Sequence, residues 1–235
     1  PIASDTQLKS VLGWKHSKVG QNIMERKRLS FLRSTNYYKE DCSPFSEDVF
    51  RLNDPCYIVG FWQNERYFSH IEHVIRDKFR FDPPLTGKNT QLAYLASDGI
   101  PVSLHVRRGD YVGNSAFHGL LGRSFYLRAM KYIEQQLTNP TYFVFSDDLD
   151  WVRSNIPIDK EHHFISHNQG EDSFYDLWLM SLCEHHIIAN SSFSWWGSWL
   201  NPSPDKMVLA PKKWFTDPTM CDVDPIPKSW IKIDT

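Results

Sequence analysis

The chain has 235 residues, 41% of them hydrophobic and 14% aromatic, with a formal net charge of −2 and an isoelectric point of about 6.6. That length buries a substantial core in one large domain or two small ones, and the balanced charge gives no field to draw in nucleic acid or an anionic membrane. No run reaches the roughly 18 apolar residues of a membrane span and no signal peptide is visible, so a cytoplasmic protein is expected, or a Golgi-lumenal one where an N-terminal anchor has been removed.

Through residue 98 the patterning is irregular. Ser10 to Trp14 and Ile23 to Phe31 read as short helical or loop pieces, the second carrying a basic cluster, Arg26-Lys27-Arg28 with Arg33, suited to a solvated helix face. Tyr57-Ile-Val-Gly60 reads as a strand. Ser69 to Phe79 reads as an amphipathic helix, with Ile71, Val74, Ile75 and Phe79 at helical spacing. Pro83-Pro84 and Gly87 break the chain, and Ser97-Asp98-Gly99 marks an expected domain boundary, giving domains 1–98 and 99–235. Cys42, Cys56, Cys183 and Cys221 show neither a C-x-x-C pair nor metal-ligand spacing and read as reduced thiols.

From Ile100 onward strands and helices alternate. Ile100 to Val106, Tyr142 to Phe145, His163 to Ile165, His186 to Ala189 and Met207 to Ala210 read as strands. Ser124 to Leu137, a short piece from Asp148, Ser173 to Cys183 and Phe193 to Leu200 read as the helices between them. Such alternation implies a doubly wound α/β fold with a parallel sheet, whose ligands bind outside the carboxyl ends of the strands. Three chemistry-bearing blocks fall at those ends.

The first is His105-Val-Arg-Arg-Gly-Asp-Tyr111. Arginine offers a rigid fork of donors that fits phosphate oxygens, and in a strand alternate residues share a face. His105 and Arg107 therefore point one way and Arg108 the other, so one arginine faces a ligand while its neighbour braces the loop. The second block, Ser146-Asp147-Asp148, has three readings: carboxylate acceptors for the N1–H and N2–H₂ donors of guanine, a helix N-cap, or a Mg²⁺ site. Since Arg107 is suited to supply charge for an anion, base recognition is favoured and no metal is expected. The third, Asn190-Ser191-Ser192, lies between an apolar strand and a helix, where it caps the helix or offers its N-terminus to an anion. The same residues form a glycosylation sequon, expected unused at the end of an apolar strand. Trp195, Trp196 and Trp199, at helical spacing, read as core.

These blocks, with Trp151 after the second and the third extended from Ile187 to Asn201, resemble the α-1,2-fucosyltransferase family, glycosyltransferase family 11. Tyr57 to Asn64 with Tyr67-Phe68, and Ala210 to Phe215, support the match, which runs from about Tyr57 to the C-terminus. The first block is shared with α-1,6- and protein O-fucosyltransferases. Ser192-Phe-Ser-Trp-Trp-Gly-Ser-Trp199 is narrower and selects the α-1,2 family.

The resemblance implies inverting transfer of L-fucose from GDP-β-L-fucose to the 2-hydroxyl of a terminal β-galactoside, without metal or other cofactor. It implies a GT-B-like fold of two Rossmann-type domains, with the donor on residues 99–235. The donor-binding set it implies is His105, Arg107, Arg108, Asp147, Asn190, Ser191, Ser192, Phe193 and Ser194. Arg107 would hold the β-phosphate and act in catalysis, His105 would sit near the nucleoside, Asp147 would read guanine, and Ser191 and Ser192 would lie near the diphosphate. A displacement also needs a base for the galactose hydroxyl proton. Asp110 and His118 are the candidates, because the glutamate of the α-1,6 enzymes falls where this chain has Ser115. Family members begin with a glycine-rich Gly-Gly-Leu-Gly-Asn-Gln segment, whereas these residues begin Pro1-Ile2-Ala3, so the N-terminal, acceptor-side domain is expected to be truncated. The alternatives are a nucleotide-sugar or glycan-binding module without catalysis and a fucosyltransferase of other linkage, α-1,6 included.

Overall fold

The computed structural model describes residues 3–26, 28, 35–40, 45–81, 84–113, 115–220 and 224–235. They form two units, Pro1–Gln63 and Asn64–Thr235. In the smaller, Ser4 starts helix α1 (Asp5–Leu12): its hydroxyl accepts from the Gln7 N–H while the Gln7 side chain takes the Ser4 N–H, so two helix-end donors are satisfied together. Ser17 caps α2 (Lys18–Glu25). Strands β1 (Tyr37–Lys39) and β2 (Tyr57–Val59) pair in parallel, and Leu12, Met24 and Tyr37 pack with Val11, Tyr57 and Val59. The expected piece Ser10 to Trp14 is the end of α1 followed by a 3-10 turn at Gly13–His16. Much of the expected piece Ile23 to Phe31 lies outside the described residues, as do Lys27, Arg33, Cys42 and Cys221; Cys56 and Cys183 are free thiols.

The larger unit runs α3 (Glu72–Lys78), α4 (Gly87–Ala96), β3 (Pro101–Val106), α5 (Gly109–Gly113), α6 (Ser115–His118), α7 (Arg123–Gln136), β4 (Thr141–Ser146), α8 (Leu149–Asn155), β5 (His162–Ile165), α9 (Phe174–Leu182), β6 (His185–Ile187), α10 (Ser192–Leu200), β7 (Val208–Pro211) and β8 (Ile231–Ile233). Strands β3 to β8 make one parallel sheet in the order β5-β4-β3-β6-β7-β8. Counted from β3, that is the doubly wound Rossmann order. The near-continuous apolar runs of β3 and β4 suit a sheet covered on both faces. Val102, Leu104, Val106 and Val144 pack on one side with Phe125, Ala129 and Ile133 of α7 and Val152 of α8. Phe143, Phe145 and Ile165 pack on the other with Leu92 and Ala96 of α4 and Leu179 and Met180 of α9. Truncating the fully buried Leu104 to alanine would cost about 2–5 kcal/mol.

The chain does not divide at Ser97-Asp98-Gly99. The apolar face of α4, just before that turn, is buried against the sheet and α9, so residues 64–98 belong to the sheet-bearing unit and the division falls at Gln63–Asn64. Gly99, at φ 110°, turns the chain from α4 into β3. The expected helix Ser69 to Phe79 opens as a 3-10 turn before α3. Ile75 packs on the tryptophan cluster and Phe79 stacks on Trp196 at 5.1 Å, while Ile71 and Val74 stay exposed. Of the three tryptophans expected in the core, Trp195 and Trp199 join Trp214 and Trp230 behind β7, Trp196 is half-buried against them, and the Trp195 indole donates to the Pro225 carbonyl at 2.9 Å.

Candidate functional site

β3 and β6 are neighbours, yet the chain passes through β4 and β5 between them, so the sheet reverses its winding there. Open α/β sheets bind ligands outside the carboxyl ends of the strands at such a point. A cleft of about 560 Å³ opens at the ends of β3, β4 and β5, with His105, Arg107, Asp147, Asn168, Asp176 and Phe193 in its walls.

Strand register creates the first pair. His105 sits opposite Phe145 and Val106 opposite Ser146, so Arg107 and Asp147 emerge side by side. Arg107 Nη1 lies 3.0 Å from Asp147 Oδ2, and Nη2 donates to Asp110 Oδ1 at 2.7 Å. Its guanidinium lies 5.5 Å from the Tyr111 ring and keeps a third of its surface exposed. Two carboxylates thus orient a cation that remains accessible from the cleft, which suits it to an anion's oxygens. The other oxygen of Asp147 accepts the Arg108 N–H at 2.8 Å. Gly109 permits this approach, because a Cβ there would stand 2.5 Å from Asp147 Oδ2.

Arg108 points away from the cleft, as alternation along the strand requires. Its Nε donates to Asp148 Oδ2 at 3.1 Å and its guanidinium lies 4.0 Å over the Trp151 ring. It braces the loop and does not line the cleft. Asp148 Oδ1 caps α8 by accepting the Trp151 N–H at 3.0 Å. The capping reading of the aspartate pair therefore falls to Asp148. Asp147, expected to present its carboxylate to a base, turns both oxygens to the arginine loop because register places it there. Among the described residues, no three His, Cys, Asp or Glu side chains gather as a metal-ligand group.

His105 forms part of the cleft wall, 6% exposed, with no protein partner for Nδ1. Burial, then the Arg107 charge, lowers its pKa from 6.5 to about 3, so it is a neutral imidazole. The Phe193 ring lies 6.0 Å from it. Asp176, in the first turn of α9, was missed in the sequence. Its carboxylate lines the cleft, and Oδ1 accepts from Asn168 Nδ2 at 2.7 Å. Burial raises its pKa from 3.8 to about 6, against the lowering effect of Asn168. The available signal was an acid standing among Phe174, Leu177 and Trp178 at the start of an otherwise apolar helix.

The residues before and at the start of α10 divide by role. Asn190 is buried: Nδ2 donates to the carbonyls of Gly119 at 3.2 Å and Trp214 at 3.1 Å, and its own carbonyl accepts the Tyr111 hydroxyl at 3.1 Å. Its side chain ties two loops together and does not face the cleft. Ser191 occupies the N-cap position without a side-chain cap bond, which differs from the expected capping. Ser194 is buried, with Oγ donating to the Ser191 carbonyl at 3.3 Å. Ser192 is exposed at the positive dipole end of the helix. Of the two base candidates, Asp110 is exposed and bonded to Arg107, and His118 ends α6 with its side chain outside the described residues.

The family model for glycosyl transferase family 11 matches residues 6–234. The chain is 38% identical over 185 residues to an alpha-1,2-colitosyltransferase of Escherichia coli, covering 75% of this chain and 62% of that protein. It is 44% identical over 116 residues to the O-antigen biosynthesis glycosyltransferase WbnK of Escherichia coli, covering 48% and 38%. It is 30% identical over 167 residues to galactoside alpha-(1,2)-fucosyltransferase 1 of Alouatta belzebul, covering 66% and 46%. The chain thus spans less than two thirds of the length of these curated relatives. No solved structure matches it.

Proposed function

The chain belongs to glycosyl transferase family 11, and we propose that the protein transfers L-fucose from GDP-β-L-fucose to the 2-hydroxyl of a terminal β-galactoside, with inversion. The observation that carries this reading is Arg107 facing the cleft at the switch point of a Rossmann-ordered sheet, beside the buried neutral His105. In this reading the Asn64–Thr235 unit is the donor half of a GT-B arrangement.

Arg107 binds the β-phosphate. As the bond from sugar C1 to the phosphate oxygen breaks, its electron pair leaves with GDP, and the guanidinium meets the charge that grows there. The galactose oxygen bonds to C1 from the opposite face, and its proton passes to Asp110 or His118. Ser192 and the start of α10 lie near the diphosphate. With Asp147 turned to the arginines, Asp176 is the cleft carboxylate suited to the N1–H and N2–H₂ of guanine, with His105 beside the nucleoside. The reaction draws its countercharge from these groups and needs no metal.

A colitosyl donor is the second reading, favoured by the colitosyltransferase that aligns over 75% of this chain. The test offers the purified protein GDP-fucose or GDP-colitose with lactose or a Gal-β-1,3-terminated glycan, and assigns the product linkage by NMR. Arg107→Ala should remove nearly all transfer with the fold intact, and Arg107→Lys should rescue poorly because an ammonium lacks the bidentate fork. Near-wild-type turnover of either variant rejects the role of Arg107. Donor binding without transfer identifies a binding module, and an α-1,6 product identifies the other linkage.

A further inference from the structure

Asn89 and Asn168 are buried polar side chains, 6% and 9% exposed, that the proposed reaction does not use. They form a head-to-tail amide pair: Asn89 Nδ2 donates to Asn168 Oδ1 and Asn168 Nδ2 to Asn89 Oδ1, each at 2.9 Å. The second N–H of Asn168 donates to Asp176 Oδ1 at 2.7 Å, and His167 Nε2 bonds Asn89 Oδ1 at 2.7 Å. The pair joins three elements: Asn89 on α4, Asn168 in the loop after β5, and Asp176 on α9. With both its donors and its acceptor engaged, the Asn168 amide is fixed in one orientation and offers Asp176 a donor at a set place.

We propose that Asn89 and Asn168 are positioning residues, a clamp that holds the Asp176 carboxylate toward the cleft and so sets the preference for guanine over adenine. The inference rests on the assignment of Asp176 to the base. Half-buried in the cleft wall, a carboxylate favours its neutral form, in which one oxygen becomes a donor and no longer matches two guanine donors. A fixed amide N–H favours the charged acceptor form and occupies only one lone pair of Oδ1, so both carboxylate oxygens can still accept from the base. A buried polar network whose members are all engaged specifies one geometry. His105, Arg107 and Asp147 share the cleft walls with Asp176, His167 bonds the clamp, and Lys88 on α4 acts on His167. Burial and Lys88 both lower the His167 pKa, so His167 is neutral above pH 6.5.

The test is calorimetric titration of GDP and ADP into the full chain between pH 5.5 and 8, for the wild type, Asn89→Ala, Asn168→Ser and Asp176→Asn. In the wild type, GDP affinity should fall as Asp176 takes up its proton, and ADP affinity should not follow that limb. In the clamp variants the limb should move to higher pH: the GDP-over-ADP preference should drop about tenfold near pH 6.5 and recover largely at pH 8. A scaffold role alone would weaken both nucleotides equally and leave the limb in place, and that outcome overturns the clamp. Should the variants not fold, the wild-type side-chain amide resonance of Asn168 decides: it should titrate with the same midpoint as the Asp176 carboxyl. Independence of the two rejects the proposal. Asp176→Asn separates the failures. If it keeps the GDP preference, the base assignment is wrong; if it loses the preference while both clamp variants retain preference and limb, only the clamp is wrong.

Discussion

His105 makes a quantitative test of how deeply the cleft wall is shielded. Its pKa is lowered from 6.5 to about 3 by burial and then by Arg107. A base whose folded pKa is depressed contributes stability that is fully present above the unfolded value and lost as pH falls toward the folded one. The window therefore runs from about pH 6.5 down to about pH 3. At about 1.4 kcal/mol per pH unit, the loss at pH 4.5 is about 3 kcal/mol, approaching about 5 at the lower end. Asp176 acts in the opposite sense: burial raises its pKa to about 6, so its contribution is lost as pH rises through that value. The His105→Gln variant isolates the histidine, because Asp176 and every other titrating group are common to both proteins. Urea unfolding at pH 7.5 and 4.5, followed by tryptophan fluorescence, reports the sheet-bearing unit, which carries seven of the nine tryptophans. The wild type should lose about 3 kcal/mol more than the variant between the two pH values, whatever pH-independent packing change the substitution brings. Equal losses would show that His105 takes up its proton in place, and would remove the neutral imidazole from the site.

Gly109→Ala should displace Asp147, since the new Cβ would stand 2.5 Å from Oδ2, and should lower transfer more than it lowers stability; transfer rates at wild-type level would show that the Arg107–Asp147 pair can relax freely. Asp147→Asn should weaken GDP and ADP alike, by about 1 kcal/mol after allowance for exposure, because it loosens Arg107 without touching the base; a selective loss of GDP in a competition assay would return guanine recognition to Asp147. Transfer should survive excess chelator, since every oxygen of Asp147 and Asp148 already faces an N–H of this chain; a rate that collapses with chelator and returns with Mg²⁺ or Mn²⁺ would make the two aspartates ligands instead.

The alternation from Ile100 onward made the parallel sheet legible, because strands buried on both faces read as unbroken apolar runs and amphipathic helices separate them. Elements at its margins were not. Strand β8 is three residues, Ile231-Lys-Ile233, too short for any periodicity, and it exists because β7 offers it a partner. Helix α4 has Asn89 at a buried position, which blurs the apolar stripe that would have announced it. Missing α4 moved the expected boundary to residue 98, because that helix ends at the turn and packs its apolar face on the sheet.

The site divides along a different line. A strand end fixes its side chains by alternation, so the outward Arg107 and the bracing Arg108 could be told apart from the order of two letters. No such rule separates Asp147 from Asp148. Which one caps α8 depends on where the helix begins, and which one meets the arginines depends on the register of β3 against β4. Both are tertiary facts. Asp176 lay further out of reach, because its place in the cleft comes from a wall shared by α9 and the loop after β5, while in sequence it is one acid in a helix whose neighbours advertise packing. A carboxylate in the first turn of a helix is ordinarily explained by the helix dipole, which is satisfied whether or not the group faces a ligand. What marks Asp176 is the pair of asparagines behind it, drawn from positions 89 and 168 and brought together only by the fold.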